Sequence, residues 1–561
     1  MNKRFFHKRP AKKTTNGAVS GKAPPPPPPS TDFLTAEYKQ TILQNSYLTA
    51  KGFTIPKQFL HPDDISALKR ELSLKKIVQG PVIAAAGEDD IVYAYRENEK
   101  KIYIPRYYAA ARYGACPVAN SKISAGEDMS ATFRGSLRDY QEKIVDCFKT
   151  AANSSDVGGG GLISLKCGGG KTVIAIKIAT ELRKKTLIIV HKEFLLNQWV
   201  ERIRDFCGGE AATIGRIQGD KFEVEGKDFV IGMLQTLYSR AYPEEVFRPF
   251  GLLIIDETHR ICSEQFSRAL FKFSPRYTLG ISATIQRKDG LDTLLNMFVG
   301  DIVYHDDTKG DDPVCVRAME FVSGDAEFEK VEYDFRGNVQ FSTMISKLCE
   351  YVPRAEFVLR VIHDLFRENP DQQIMVLAHN KNVLHYLHDA VRDRELATVG
   401  YYLGGMKERD LKETEDKQVV IATYAMAAEA LDIKTLSTLI MVTPKKDITQ
   451  SVGRILRMKH ENPIVVDIVD THDVFQNQWK VRRAYYKKCN YRIRYVRSTQ
   501  YSGMCLDWDK DTTWKRVYEP VAACAAGASG AAAATEEDKI VPQKCLIDIS
   551  RLSGKSETSE K

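Results

Sequence analysis

The stretch Leu162-Ile-Ser-Leu-Lys-Cys-Gly-Gly-Gly-Lys171-Thr172-Val-Ile-Ala-Ile176 constrains this chain more than any other. Leu162, Ile163 and Leu165 make an apolar run suited to a buried strand, and three glycines end it. Val173, Ile174 and Ile178 then suit the apolar face of a helix. Strand, glycine turn, Lys-Thr and helix form a phosphate-binding loop, whose backbone N–H groups curl round phosphates at a helix N-terminus. In that reading Cys167, Gly168, Gly169 and Gly170 line the phosphates, Lys171 reaches the β/γ pair and Thr172 ligates Mg²⁺. One position departs from the pattern: G-x-x-x-x-G-K-[ST] asks for glycine at 165, where this chain has Leu165. The bland alternative is a glycine-rich turn that happens to precede a lysine.

A phosphate loop of this kind needs a parallel sheet around it, and the hydrophobic pattern supplies two. From about residue 131, apolar runs recur at 187–190, 229–233, 252–255 and 277–281, with helical segments between them. A second series follows at 374–378, 419–422, 439–442 and 464–466. The pattern predicts an α/β protein with a first lobe over 131–305 and a second over 306–500. Residues 306–345 are acidic and irregular, and the connection between lobes is expected there.

Outside the lobes, residues 1–31 are basic without a single acid until Asp32, and carry six prolines at 24–29. Such a segment buries too little apolar surface to offset its ordering entropy, which predicts disorder with a polyproline II stretch. Lys8-Arg-Pro-Ala-Lys-Lys13 reads as a nuclear address, a nucleic-acid arm or a solvated tail. Residues 32–130 predict a small accessory α+β domain, with a helix over 66–74 and hairpin strands over 91–95 and 101–104. Nothing in it has the spacing of a catalytic site. Residues 501–561 turn alanine-rich and read as a low-complexity tail.

Charge and cysteine usage narrow the function classes. A formal net charge of +8 leans toward nucleic acid as a partner. Eleven scattered cysteines without a C-x-x-C offer neither a zinc framework nor a disulfide scaffold. No apolar run is long enough to span a membrane, and none follows the N-terminal charges as a signal peptide requires. A reducing intracellular setting and no membrane partner are expected.

Two further constellations suit ATP chemistry. Leu252-Leu-Ile-Ile-Asp256-Glu257-Thr-His259 ends a buried strand with carboxylates, where Asp256 would bind Mg²⁺ and Glu257 would orient or deprotonate the attacking water. An ordinary Asp-Glu pair at a strand end is the bland alternative. Gln450-Ser-Val-Gly-Arg454-Ile-Leu-Arg457 reads as a helix start, and its spacing puts Gln450, Arg454 and Arg457 on one face. Two guanidiniums facing a triphosphate from the other lobe are what an arginine finger requires, worth on the order of 10³–10⁵ in rate. A solvated basic stripe is the competing reading.

With these motifs in place, the chain resembles the superfamily 2 helicases, the two-lobe RecA-like motors of nucleic acid, over about residues 131–460. Leu137-Arg138-Asp-Tyr-Gln141 resembles the adenine-reading segment, which implies that Arg138 and Gln141 hold the base. Val190-His-Lys192 with Gln198-Trp199, and Leu234-Gln235-Thr236, resemble strand-contacting motifs of the first lobe. Ser282-Ala283-Thr284 resembles the element that couples hydrolysis to lobe motion. His379-Asn380, Gly404-Gly405, Ala422-Thr423 and Glu429-Ala-Leu-Asp432 resemble the later motifs, which implies nucleotide contact by Asp432 and strand contact by Lys192, Gln235, Thr236, His379 and Thr423.

Within the superfamily, Asp256-Glu-Thr-His259 and Gln450-Ser differ from the DEAD-box pattern. Cys167-Gly-Gly-Gly-Lys-Thr172 and Ser282-Ala-Thr-Ile-Gln-Arg287-Lys288-Asp289 look most like XPB-type DNA helicases, and within them like those of large nucleocytoplasmic DNA viruses. Arg287 would contact DNA, but Lys288 stands where that type has Glu, which puts a strand-opening role of the loop in doubt. Ala430 likewise replaces a usual glycine.

The resemblance implies ATP and Mg²⁺ as cofactors, double-stranded DNA as the chief partner and 3′→5′ movement. It also implies a setting in viral transcription or DNA repair beside an RNA polymerase or repair complex. Host nucleus, cytoplasmic viral factory and virion are the corresponding locations. An RNA helicase, or an ATP-binding clamp without turnover, are the rivals.

One signal lies beyond these motifs. Residues 475–497 interleave Lys480, Arg482, Arg483, Lys487, Lys488, Arg492, Arg494 and Arg497 with Trp479, Tyr485, Tyr486, Tyr491 and Tyr495. They read either as a nucleic-acid surface or as a terminal helix docking its aromatics on the second lobe.

Overall fold

A computed structural model of the chain describes residues 33–75, 91–166, 168–208, 213–258, 264–273, 275–283, 292–306, 312–429, 433–503 and 512–520. The predicted disorder of the N-terminal segment falls outside them.

The N-terminal unit contains α1 (Ala36–Asn45), β1 (Tyr47–Thr49), β2 (Gly52–Pro56), α2 (Pro62–Glu71), β3 (Ser73–Lys75), β4 (Ile91–Tyr93), β5 (Arg96–Glu97), β6 (Lys101–Ile104) and α3 (Arg106–Tyr113). Two expectations change here. Helix α2 starts earlier than residue 66, because Pro62 pre-sets the first turn and His61 caps it, and it stops before Ser73, which begins a strand. The hairpin of 91–95 with 101–104 does not form. β4 pairs with β3, whereas β6 lies between β2 and β5. The register opposite β2 matches Phe53 with Ile104 and Ile55 with Ile102, all four buried, which the exposed partner Tyr93 would not offer.

This unit is fastened to the first lobe. Arg106 of α3 donates to the carbonyls of Pro275, Arg276, Val157 and Gly158, at 3.0, 3.1, 3.3 and 2.6 Å. Ile42, Leu48, Phe53 and Ile104 join Leu162, Leu187, Leu253 and Leu294 in one core. The accessory region and the first lobe thus bury apolar surface jointly.

The first lobe holds α4 (Asp139–Ala152), β7 (Gly160–Ser164), α5 (Lys171–Leu182), β8 (Thr186–Val190), α6 (Glu193–Cys207), β9 (Ile214–Gln218), β10 (Lys221–Phe222), β11 (Phe229–Met233), α7 (Leu234–Ser239), β12 (Leu252–Asp256), β13 (Tyr277–Ser282) and β14 (Ile302–His305). Its sheet order is β10-β9-β11-β8-β12-β13-β7-β14, parallel except for the β10 edge.

The second lobe has β15 (Cys315–Phe321), β16 (Gln373–Ala378), β17 (Val399–Tyr402), β18 (Val419–Thr423), β19 (Leu436–Met441), β20 (Ile464–Asp470), β21 (Arg492–Arg497) and β22 (Lys515–Tyr518), in the order β17-β18-β16-β19-β20-β15-β21-β22. Only β22 runs antiparallel to its neighbour. The chain therefore folds as two tandem α/β lobes, each on an eight-stranded, mainly parallel sheet.

Two segments expected to be irregular carry strands of the second sheet. β15 falls in the supposed connection of 306–345, yet it lies between β20 and β21. Its Arg317 and Glu320 disguise it in sequence. Both charges are answered, Arg317 by Glu368 and Glu320 by Arg497. β22 falls in the supposed tail of 501–561, which the buried Tyr501 and Trp514 help to pin to the lobe.

Candidate nucleotide site and strand-facing edge

Parallel strands in register bring their C-terminal ends to one edge of a sheet, where α/β proteins bind ligands. Ser164 pairs with Ser282, Asp256 with Ile281 and Val190 with Met233. The phosphate loop after β7, the carboxylates at the end of β12 and Ser282 at the end of β13 are therefore neighbours.

Each part of the loop answers a particular neighbour. Leu165 is 1% exposed, and a Cβ on Gly169 would meet its Cγ at 2.7 Å. The leucine that replaces the first glycine of the motif thus packs inward beneath the loop. Its N–H donates to the Ser282 carbonyl at 3.0 Å, tying β7 to the end of β13. Gly170 caps α5 with φ +77°, and a Cβ there would stand 2.3 Å from Gln141 Nε2. Gln141 Nε2 and the Tyr140 hydroxyl both donate to the Gly169 carbonyl at 3.2 Å, while Gln141 Oε1 accepts from Arg138 N–H at 3.0 Å. The expected adenine segment is braced on the loop. Lys171 Nζ donates to the Leu165 carbonyl at 3.4 Å.

Asp256 sits buried behind the loop. Its Oδ2 accepts from Trp199 Nε1 at 2.8 Å and its Oδ1 from Glu257 N–H at 2.8 Å. Burial above all, and then the Glu257 charge, push its carboxyl up to about 6, against the pull of the Trp199 bond and the Lys171 ammonium. Glu257 adopts φ +48°, an uncommon conformation for a side-chain-bearing residue. These groups fit a divalent cation: a desolvated carboxylate whose oxygens each accept one N–H bond retains lone pairs for metal-bound water.

The arginine segment meets the loop. A Cβ on Gly168 would lie 3.1 Å from the Leu456 carbonyl oxygen and 4.0 Å from Arg457 Cα. The expected continuous helical face of Gln450, Arg454 and Arg457 does not form, however. The helix covers only Thr449–Val452, after which Arg454 and Ile455 donate to Ser451 and Val452 in tighter i→i+3 turns. Gly453, a poor helix former, sits where the helix gives way. Proximity to the loop rests on these turns and not on stacking along a continuous helix.

The residues implied as strand contacts lie at C-terminal strand ends of both sheets. Lys192 caps α6 after β8, and Gln235 and Thr236 open α7 after β11. His379 follows β16, and Thr423 closes β18 one rung away. Thr236 is buried and accepts from Gly219 N–H at 3.1 Å, which leaves exposed Gln235 better placed for a ligand. His379 Nδ1 is 2.8 Å from Thr443 Oγ1, and packing together with the Lys445 charge pushes its imidazole down to about 4. Cys167, His259, Thr284, Arg287, Lys288, Asp289, Ala430 and Asp432 lie outside the described residues.

The basic-aromatic stretch separates by face. On the helix Asp473–Lys488, Phe475, Trp479, Arg482 and Tyr486 are buried, whereas Lys480, Arg483 and Lys487 are exposed. Arg482 forms a bidentate pair with Asp467 at 2.7 and 2.8 Å and cannot join a nucleic-acid surface. Trp199, expected with Gln198 in a strand-contacting motif, does not face a strand: it is buried on α6 and turned to Asp256. Its position on the apolar face of α6 explains the burial, and nothing in its spacing points to Asp256.

Residues 134–287 match the family model described as type III restriction enzyme, res subunit. A protein of Acanthamoeba polyphaga mimivirus, provisionally named an ATP-dependent RNA helicase, is 34% identical over 80% of this chain and 86% of its own length. A provisionally named helicase of Invertebrate iridescent virus 6 is 28% identical over 76% of this chain and 96% of its own. The DNA 3′-5′ translocase XPB2 of Sulfurisphaera tokodaii is 27% identical over 59% of this chain and 81% of its own. With a loop, a strand-end carboxylate pair and an arginine segment meeting at one edge, and with these relatives, the chain belongs to the ATP-dependent superfamily 2 helicases, among relatives encoded by large DNA viruses.

Proposed function

We propose that this protein is a DNA translocase or helicase that moves 3′→5′ and hydrolyses ATP between its lobes. The approach of Leu456 and Arg457 to Gly168 carries the reading. It brings the backbone of the arginine segment of one lobe against the phosphate loop of the other, so nucleotide binding and release would alter how the lobes meet.

In this reading Lys171 and the N–H groups of Gly168 to Gly170 hold the phosphates, and Thr172 and Asp256 hold Mg²⁺. When bound, Mg²⁺ offsets charge on the β and γ oxygens. Glu257 orients water toward the γ-phosphorus, and Arg454 and Arg457 stabilise the charge that develops there. Lys192 and Gln235 on one sheet edge and His379 and Thr423 on the other grip a strand, so changes in lobe closure move it. Transcript release or elongation, in a host nucleus or a viral factory, is the setting we favour, with excision repair next.

The motif resemblance and the DNA translocase relative of Sulfurisphaera tokodaii support the DNA branch. The mimivirus relative's name favours an RNA helicase. ATP turnover measured with double-stranded DNA, single-stranded DNA and RNA separates them, followed by strand displacement. Double-stranded DNA is expected to stimulate most. Stronger stimulation by RNA overturns the DNA assignment, and no turnover with any strand would make the protein a clamp.

A further inference from the structure

Asp256 is buried at the end of β12, and each of its carboxylate oxygens accepts one N–H bond. Of its two hydrogen-bond donors, Trp199 is the side chain, and an indole N–H only donates. It stabilises an acceptor oxygen, takes no proton in return and adds no charge to compete with the metal.

The ring is also held fast. Trp199 is 1% exposed on α6 and packs in one core with Val190, Leu196, Ile203 and Ile254. Its Nε1 stands 2.8 Å from Oδ2, while the backbone N–H of Glu257 takes Oδ1 at 2.8 Å. Two donors on two oxygens fix the carboxylate plane, and a carboxylate with about four acceptor sites keeps the remainder for metal-bound water. Outer groups of this kind commonly change metal affinity by about 10–100-fold when removed.

We propose that Trp199 is the positioning residue of the Mg²⁺ carboxylate: its indole N–H orients Asp256 for the ion that accompanies ATP. The proposal rests on the nucleotide-site reading above. Phenylalanine at 199 would keep an aromatic ring but lose the donor.

The test is Mg²⁺-dependent binding of a fluorescent ATP analogue to the full chain, without turnover as a readout. Trp199→Phe is compared with a chain carrying benzothienylalanine at 199, which keeps the bicyclic shape and lacks only the N–H. Both are expected to bind the analogue in EDTA as the parent does. The Mg²⁺ concentration giving half the metal-dependent gain in affinity should rise by about 10-fold in each.

An unchanged Mg²⁺ midpoint in the benzothienylalanine protein overturns the proposal. So does loss of affinity in EDTA together with a lowered thermal midpoint, which would mark Trp199 as packing alone. If the parent protein binds the analogue with no dependence on Mg²⁺, the nucleotide-site reading itself fails. That outcome is visible before any variant is made.

Discussion

Each lobe buries aspartate on an interior strand, and the two treat it in opposite ways. In the second lobe, Asp470 accepts from Arg354 at 2.6 and 2.9 Å, and Asp467 from Arg482 at 2.7 and 2.8 Å and from the Tyr486 hydroxyl at 3.0 Å. In the first lobe, Asp256 accepts from an indole and a backbone N–H. A guanidinium neutralises its partner and makes the pair part of the core. A neutral donor adds no charge of its own and leaves only the pull of the Lys171 ammonium, which is costly without a ligand and useful with one. Buried aspartates on interior strands of similar sheets therefore divide into scaffold and site according to what faces the carboxylate.

The largest break in this comparison comes from removing a guanidinium. Arg354→Ala or Arg482→Ala strands a buried carboxylate, and each is expected to destabilise the second lobe by about 3–5 kcal/mol, read from urea midpoints. Trimming Arg482 would thus lower nucleic-acid affinity through unfolding. A loss below about 1 kcal/mol would mean that water reaches Asp467 or Asp470 and that the two lobes differ less than their hydrogen bonds indicate.

A smaller effect, of opposite sign, is expected at Asp256. Its folded carboxyl is raised to about 6, above the unfolded range near 3.9. The folded chain then binds the extra proton, so this group's contribution to stability is greatest below about pH 4 and is lost as pH rises through about 6. Asp256→Asn removes that dependence. In EDTA, the variant should gain on the parent by on the order of 2 kcal/mol between pH 4 and pH 7, while ATP turnover is abolished. A parallel pH profile of the two proteins would show that the carboxylate is already well solvated. Mg²⁺ should narrow the gap by holding the ionised form.

The same contrast marks what was legible in the sequence. The loop, the Asp256-Glu257 pair and the lobes were readable, because the parallel strands are continuous apolar runs and strand–glycine–Lys-Thr–helix is a local pattern. β15 was hidden because periodicity counts Arg317 and Glu320 as solvent-facing, whereas Glu368 and Arg497, distant in sequence, neutralise them. β22 was hidden because Lys515 and Arg516 are ordinary for an exposed edge strand. The pairing of β6 with β2 and the bond from Trp199 to Asp256 are long-range choices that no short window encodes. Spacing overreached once, at Gln450, Arg454 and Arg457, where a glycine ended the helix that the pattern assumed.

The helix Asp473–Lys488 carries the comparison to the surface, since it bears both kinds of cation. Positions 479, 482 and 486 turn inward, where Arg482 is committed to Asp467. Lys480, Arg483 and Lys487 lie one place further along the same helical spacing and are exposed. If the outer row binds phosphates, replacing all three with alanine should flatten the plot of log affinity against log salt by about one unit for each phosphate no longer neutralised. Thermal stability should stay within about 0.5 kcal/mol of the parent, as expected for surface positions. A salt slope equal to the parent's confines this helix to supporting the second lobe. A flattened slope with an intact fold assigns its two faces to different tasks, one row of cations holding the scaffold together and the next holding the strand.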